Sequence, residues 1–124
     1  MWCNTRDPAL LTTYLGEHGL PTGHEALARL LATLATYDDV TDLFAVTHLG
    51  ALSLTRAPRW EVEEDYPSVQ VAPRGGLYVV GFLPARARLS MAHATCREAD
   101  LLAAVERHLL RLYREERPSS QRPG

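Results

Sequence analysis

The stretch Pro73-Arg-Gly-Gly-Leu-Tyr-Val-Val-Gly-Phe-Leu83 (PRGGLYVVGFL, residues 73–83) joins a turn motif to the most apolar segment of the chain. The paired glycines Gly75 and Gly76 can adopt positive φ at no steric cost, as a tight hairpin turn requires. Residues 77–83 are predicted to form a buried central strand that Pro84 closes. The alternating residues 68–72 before the turn predict its antiparallel partner.

Alternation of apolar and polar residues predicts further strands on both sides of this hairpin. Residues 46–56 read as one half-buried strand, with Leu52 and Leu54 on one side. Residues 60–63 form a second, short alternating stretch, and residues 88–94 alternate again. Together these segments predict an antiparallel meander of four or five strands.

Two helices are predicted ahead of the meander. Asp7-Pro8 pairs a favoured N-cap residue with a proline suited to the first helical position, so a short helix should begin there and end at Gly16 or Gly19. Residues 22–25 fit a capping box, in which Thr22 and Glu25 each satisfy a free backbone N–H group. The second helix should then run to about residue 37. Its leucines recur at helical spacing: Leu27, Leu30, Leu31 and Leu34.

A long C-terminal helix is predicted from about Cys96 to Arg117, where Pro118 stops it. Residues 95–98 have the same capping-box pattern as residues 22–25. The predicted fold class is therefore α+β: a two-layer sandwich of two N-terminal helices, a meander of four or five strands and a long C-terminal helix. Residues 1–117 should form one domain, and residues 118–124 have the composition of a flexible tail.

Composition sets limits on the kind of protein. The chain has 124 residues, a formal net charge of −2 and 13 basic residues that are all arginine. It contains no lysine or isoleucine, as expected of a GC-rich bacterial genome. No segment has the pattern of a signal peptide or the apolar length of a membrane span, which favours a cytoplasmic protein away from membranes. The two cysteines, Cys3 and Cys96, are then expected to be reduced thiols.

Motifs that carry chemistry are few. The sequence has no Gly-x-Ser-x-Gly elbow, no glycine-rich phosphate loop and no pairs of cysteines or histidines at zinc spacing. We therefore expect no metal, cofactor or catalytic residue, and we favour a protein that is not an enzyme. Arg107, Arg111 and Arg114 alternate with glutamates on the last helix, and nucleic-acid binding is therefore disfavoured.

One candidate for catalysis remains in the sequence. His93 lies three residues before Cys96, at the predicted start of the last helix, where the helix dipole would lower the pKa of a thiol. A small thiol-dependent enzyme or a ligand-binding domain that uses Cys96 and His93 is therefore the alternative function.

Two acidic clusters beside aromatic residues support the leading interpretation. The candidate partner-binding residues are Asp38, Asp39 and Asp42 in the first cluster, and Trp60, Glu61, Glu63, Glu64, Asp65 and Tyr66 in the second. A surface of this kind would attract a basic protein by electrostatic steering and hold it through an aromatic anchor. A solvated edge strand, protected from aggregation by its charges, is the structural alternative for residues 60–66.

The sequence thus favours a non-catalytic protein-binding module of the adaptor or toxin-immunity type. Its expected partner is a basic protein, for example a toxin or a nuclease. A homodimer through an exposed sheet face or edge would be compatible with either function.

Overall fold

In the part of the chain that the structure describes, six strands form one antiparallel sheet, and each strand pairs with the next one along the chain. The computed structural model describes residues 2–7, 24–48, 51–87 and 91–114. The strands are β1 (Trp2–Asn4), β2 (Phe44–His48), β3 (Ala51–Thr55), β4 (Ser68–Arg74), β5 (Leu77–Leu83) and β6 (Met91–Cys96). The helices are α1 (His24–Leu34) and α2 (Glu98–Arg114), and a 3-10 helix covers Trp60–Asp65.

The central hairpin confirms the prediction made from residues 73–83. β4 and β5 pair from Ser68↔Leu83 to Arg74↔Leu77. Gly75 and Gly76 form the turn between them with φ angles of 59° and 82°, in the left-handed region. In β5, Val80 and Phe82 are fully buried.

The hydrophobic core lies on one face of the sheet, which we call the inner face. Alternate residues of β3, β4 and β5 point into it, for example Leu52, Leu54 and Val80. Both helices contribute to the same core, and α2 packs against β4, β5 and β6. The predicted leucine stripe of α1 is confirmed, because Leu27, Leu30, Leu31 and Leu34 are all buried.

The predicted fold class is wrong in its strand count and in its order of elements. The sheet has six strands, and its first strand, β1, precedes the helix that was expected to open the fold. In the described ranges one helix, α1, comes before β2, where two N-terminal helices were expected. β1 is only three residues long, too short to give an alternation pattern. Its place is set by pairing with β2 and by the indole Nε1–H of Trp2, which donates to the backbone oxygen of Ala57 at 3.2 Å.

The single strand predicted over residues 46–56 is instead a hairpin. β2 and β3 pair antiparallel from Phe44↔Thr55 to His48↔Ala51. Two strands of five residues therefore replace one long strand. The residues on the inner face are odd-numbered in β2, such as Ala45, and even-numbered in β3, such as Leu52 and Leu54, so the alternation changes phase between the two strands.

The short strand predicted at residues 60–63 is also wrong, since Trp60–Asp65 is a 3-10 helix. The amide of Val62 donates to the Arg59 oxygen at 3.3 Å, and the amide of Tyr66 donates to the Glu63 oxygen at 3.1 Å. No side chain in this six-residue helix is buried. Because no face of this segment is buried, its alternating side chains make no packing contacts that would favour an extended backbone.

The capping box predicted at residues 95–98 does not form. β6 continues to Cys96, with Thr95 paired to Val79, and α2 begins at Glu98. Glu98 instead forms an ion pair with Arg29 of α1. Apart from Asp7, the predicted helix over residues 7–19 lies outside the described residues, as do the Thr22 cap and the tail 118–124.

Candidate functional site

Loops that connect the strands meet at the end of the sheet where β3 and β5 finish and β2 and β4 begin. Pairing of Phe44 with Thr55 and of Ser68 with Leu83 places these loops together. Residues 4–7, 37–43, 56–67 and 84–87 contain eight carboxylates and four arginines. We call this the acidic end, and both acidic clusters found in the sequence lie on it.

Asp42 has an internal role at the acidic end. Its carboxylate accepts from Arg56, with the guanidinium Nε at 2.6 Å, and its other oxygen accepts the hydroxyl proton of Tyr113 at 3.1 Å. The Arg56 guanidinium also lies 4.5 Å from the centre of the Tyr113 ring. These contacts join the loop before β2, the end of β3 and the last turn of α2. Asp42 therefore holds structural elements together, whereas Asp38 and Asp39 are exposed.

Burial raises the pKa of Tyr113 well above its ordinary value, and the nearby Asp42 carboxylate raises it further. Tyr37, which precedes the first acidic cluster, has a raised pKa for the same two kinds of reason: burial first, and then the charge of Glu106. Its hydroxyl donates to that carboxylate at 3.2 Å. Both tyrosines therefore stay protonated and act as hydrogen-bond donors beneath the acidic end.

The 3-10 helix Trp60–Asp65, which we call the acidic segment, forms the most exposed part of this end. Trp60 is 72% exposed, and Glu61, Glu63 and Glu64 are exposed around it. An indole of this size is seldom left in water in the middle of a charged surface. Tyr66, which follows the segment, is half-buried.

Arg86 fixes the acidic segment to the loop after β5. Its amide donates to the Glu64 backbone oxygen at 2.7 Å, and its guanidinium donates to the Asp65 carboxylate at 2.7 Å. Arg86 has a φ of 62°, a conformation that costs energy for a residue with a side chain. The two contacts with the segment hold it there. Asp65 is thus an anchor of the segment, while Trp60, Glu61 and Glu64 project from it.

A groove of about 540 Å³ lies on the outer face of the sheet, opposite the core. A cross-strand row of Val46, Ser53, Gln70 and Gly81 forms part of its floor. Neighbouring small side chains such as Ala72 do not fill the groove. Glu63 of the acidic segment closes one side of the groove, and His93 of β6 lines it as well.

His93 and Cys96 do not form a joint site, because they lie on opposite faces of the sheet. His93 lines the outer groove, whereas Cys96 packs against the core and pairs in register with the buried Tyr78. Burial raises the pKa of the Cys96 thiol, and the Asp100 carboxylate raises it further against the opposing effect of Arg107. Cys96 ends a strand and precedes α2, so the expected dipole effect on a first-turn thiol does not apply.

The arginines of α2 lie away from the outer groove. The Arg111 guanidinium stacks on the ring of Phe82 at 4.4 Å, on the core side of the sheet. Burial, with Arg107 and Arg111 nearby, lowers the pKa of His108 on the same helix. This surface mixes basic and acidic side chains, as the sequence indicated.

Sequence reasoning missed the outer groove. Ser53 was visible as the polar side of an alternating strand, but Gln70, Gly81 and Glu63 are brought beside it only by the register of three strands and by the 3-10 helix. The small and polar residues that alternate with the core residues along β3, β4 and β5 were the one sequence pattern that could have indicated the groove.

Within the described ranges, no group of three His, Cys, Asp or Glu side chains is close enough together to hold a metal ion. Neither helix in that part of the chain has the length and apolar character needed to cross a membrane. No family model, curated protein or solved structure matches this chain.

Proposed function

We propose that this protein is a non-catalytic protein-binding module, of the adaptor or toxin-immunity type, that docks a basic protein partner on its acidic end. The observation that carries the proposal is the acidic segment, where an indole that is 72% exposed stands among exposed carboxylates. Aromatic residues flanked by charge are typical of the anchors of protein interfaces.

The contact residues of the proposed interface are those that the fold leaves exposed. Trp60, Glu61 and Glu64 project from the acidic segment, and Asp38 and Asp39 from the neighbouring loop. Glu63 is also exposed, but its side chain lines the groove on the outer face of the sheet. Asp42 and Asp65 stabilise this surface through ion pairs with Arg56 and Arg86, respectively. Because the segment is anchored by Arg86, docking would require little ordering of the backbone, which favours affinity.

The anchor and the charges have separate parts in this proposal. Carboxylates at the rim of an interface mainly raise the association rate and its dependence on salt, whereas a central aromatic side chain mainly slows dissociation. Trp60→Ala should therefore raise the dissociation rate of the partner, by about 30-fold for a typical aromatic anchor.

The experiment starts with partner capture from an extract of the source cells, followed by purification of the captured protein and measurement of its binding kinetics. Leu110→Ala is the matched control, because Leu110 is also a large apolar side chain at 65% exposure but lies on α2. Equal dissociation rates for the Trp60→Ala and wild-type proteins would overturn the proposed anchor. An acidic captured partner would overturn the proposed partner class.

A further inference from the structure

We propose that the groove on the outer face of the sheet binds a small organic cation, an amine or amidine on an apolar body, with the Glu63 carboxylate as its counter-ion. This site is separate from the docking of a protein partner. The proposed protein contacts Trp60, Glu61 and Glu64 do not line the groove.

The size and lining of the groove fit a small molecule. Its volume of about 540 Å³ lies within the range of ligand sites, roughly 300–1,000 Å³. Val46, Val79 and Ala72 offer apolar surface to the body of a ligand. Ser53 and Gln70 stand side by side on paired strands and provide hydroxyl and amide groups that can donate or accept hydrogen bonds.

Gly81 and the irregular pairing of β6 shape the far side of the groove. Val80 pairs with Ala94 and Phe82 with Met91, so two residues of β6, Ala92 and His93, lie opposite the single Gly81. A bulge of this kind redirects side chains and increases the local twist of a sheet. Because Val80 and Phe82 point into the core, position 81 faces the groove, where the absence of a side chain leaves space.

Charge decides the class of ligand. Among the lining residues in the described ranges, Glu63 is the one carboxylate, and none of the arginines in those ranges lines the groove. A cationic group placed on the acidic-segment side of the groove would meet this carboxylate, whereas an anion placed there would be repelled by it.

Three nearly isosteric probes test the proposal: benzamidine, benzamide and benzoate, which are cationic, neutral and anionic. Each is titrated into the full-length protein while amide chemical shifts of Ser53, Gln70 and Gly81 are followed by NMR, with Gly75 as a distant reference. Benzamidine should give saturable shifts at the three groove amides. Benzamide should bind about five-fold more weakly, as expected for loss of one partly exposed ion pair, and benzoate should give no saturable shift.

Two variants and a matched control locate the site. Glu63→Gln should weaken benzamidine binding by about five-fold and leave benzamide binding unchanged. Ala72→Leu should abolish binding of both by filling the groove. Glu64→Gln removes the neighbouring exposed carboxylate, which does not line the groove, and should leave the affinity for benzamidine unchanged.

Several results would overturn the proposal. If benzoate binds as tightly as benzamidine, the charge of the ligand does not determine binding. If Glu63→Gln and Glu64→Gln weaken benzamidine binding equally, the effect comes from the overall negative charge of the segment and not from a specific pair with Glu63. If the chemical shifts of the groove amides change with protein concentration and not with added ligand, the outer face of the sheet binds a second copy of the chain. Shifts with an arginine-rich peptide but none with benzamidine would assign it to a protein side chain. None of these results affects the Trp60→Ala experiment, which tests the proposed protein partner separately.

Discussion

At the scale of single residues, Tyr113 shows how the acidic end is connected to the core. Its hydroxyl donates to Asp42, which also pairs with Arg56, and the Arg56 guanidinium lies against its ring. A half-buried hydroxyl and an aromatic contact thus join three elements that are far apart in sequence. A tyrosine at the end of a leucine-rich helix reads as an ordinary core residue, so the sequence alone could not assign this contact.

Tyr113→Phe should lower the free energy of unfolding by about 1.5 kcal/mol at neutral pH, because it removes one hydrogen bond to a charged group while keeping the ring. The effect should depend on pH. The pKa of Tyr113 is raised in the folded protein, so its contribution is complete below the unfolded value near 10 and is lost as the pH rises above that value.

Urea denaturation at neutral pH and above pH 10 (about the ordinary tyrosine pKa) checks both parts of the Tyr113 prediction. The wild-type protein should lose stability more steeply over this interval than Tyr113→Phe does. Stability curves with the same slope in both proteins would contradict the assignment of the raised pKa to Tyr113.

Cys96 should react slowly with alkylating reagents near neutral pH. The thiolate is the reactive form, and the raised pKa of Cys96 reduces its population in the folded protein. In a Cys3→Ser background, iodoacetamide should label folded Cys96 several-fold more slowly than the urea-unfolded chain. If the folded protein is labelled as fast as the unfolded chain, Cys96 is a reactive thiol and this prediction is wrong.

At the scale of elements, the hairpin at residues 73–83 and the two described helices were predictable, because each has a strong local pattern. The glycine pair defines one turn, and leucines at helical spacing define a buried helix face. β1 and the 3-10 helix were not predictable in the same way. β1 has three residues, and residues 60–65 have no buried side chain. Their backbone makes short-range hydrogen bonds of its own, and Arg86 contacts the end of the segment.

The Arg86 contact leads to a prediction about the acidic segment. Arg86→Ala should cost less than about 1 kcal/mol of stability, as an exposed ion pair does. It should nevertheless speed hydrogen exchange at the amide of Tyr66, because the end of the segment loses its side-chain anchor. Native-state exchange measured by NMR checks this outcome.

Arg59→Ala is the matched control for Arg86→Ala. Arg59 also pairs with a carboxylate of the segment, Glu61 at 3.5 Å, but it immediately precedes the segment in the chain and does not tie it to the loop after β5. Exchange at Tyr66 should be nearly unchanged in this variant. Equal exchange rates in Arg86→Ala and the wild-type protein would show that the segment is held by its backbone contacts alone.

At the scale of the whole molecule, the meander collects acids that are separated in sequence. The clusters at residues 38–42 and 60–65 come together because β2 and β3 form a hairpin, with one cluster before it and the other after it. The sequence indicated both clusters as candidates but not their common location. That location depends on strand register, and it gives the molecule one strongly acidic end.

The opposite end of the sheet provides a control with the same change in charge. Glu25 and Asp100 are exposed acids in the first turns of α1 and α2, on the side of the Gly75-Gly76 turn. Replacing both with arginine alters the net charge of the protein as much as replacing Glu61 and Glu64 does. Any difference between the two double variants therefore reports where the partner binds.

The most direct test of the proposed function is the salt dependence of the association rate of the captured basic partner with these two double variants. Glu61→Arg/Glu64→Arg should reduce the association rate at low salt by at least about ten-fold and flatten its dependence on salt. Glu25→Arg/Asp100→Arg should stay close to the wild-type rate and keep a similar dependence on salt. The same loss in both variants, or in neither, would contradict docking of a basic protein at the acidic end.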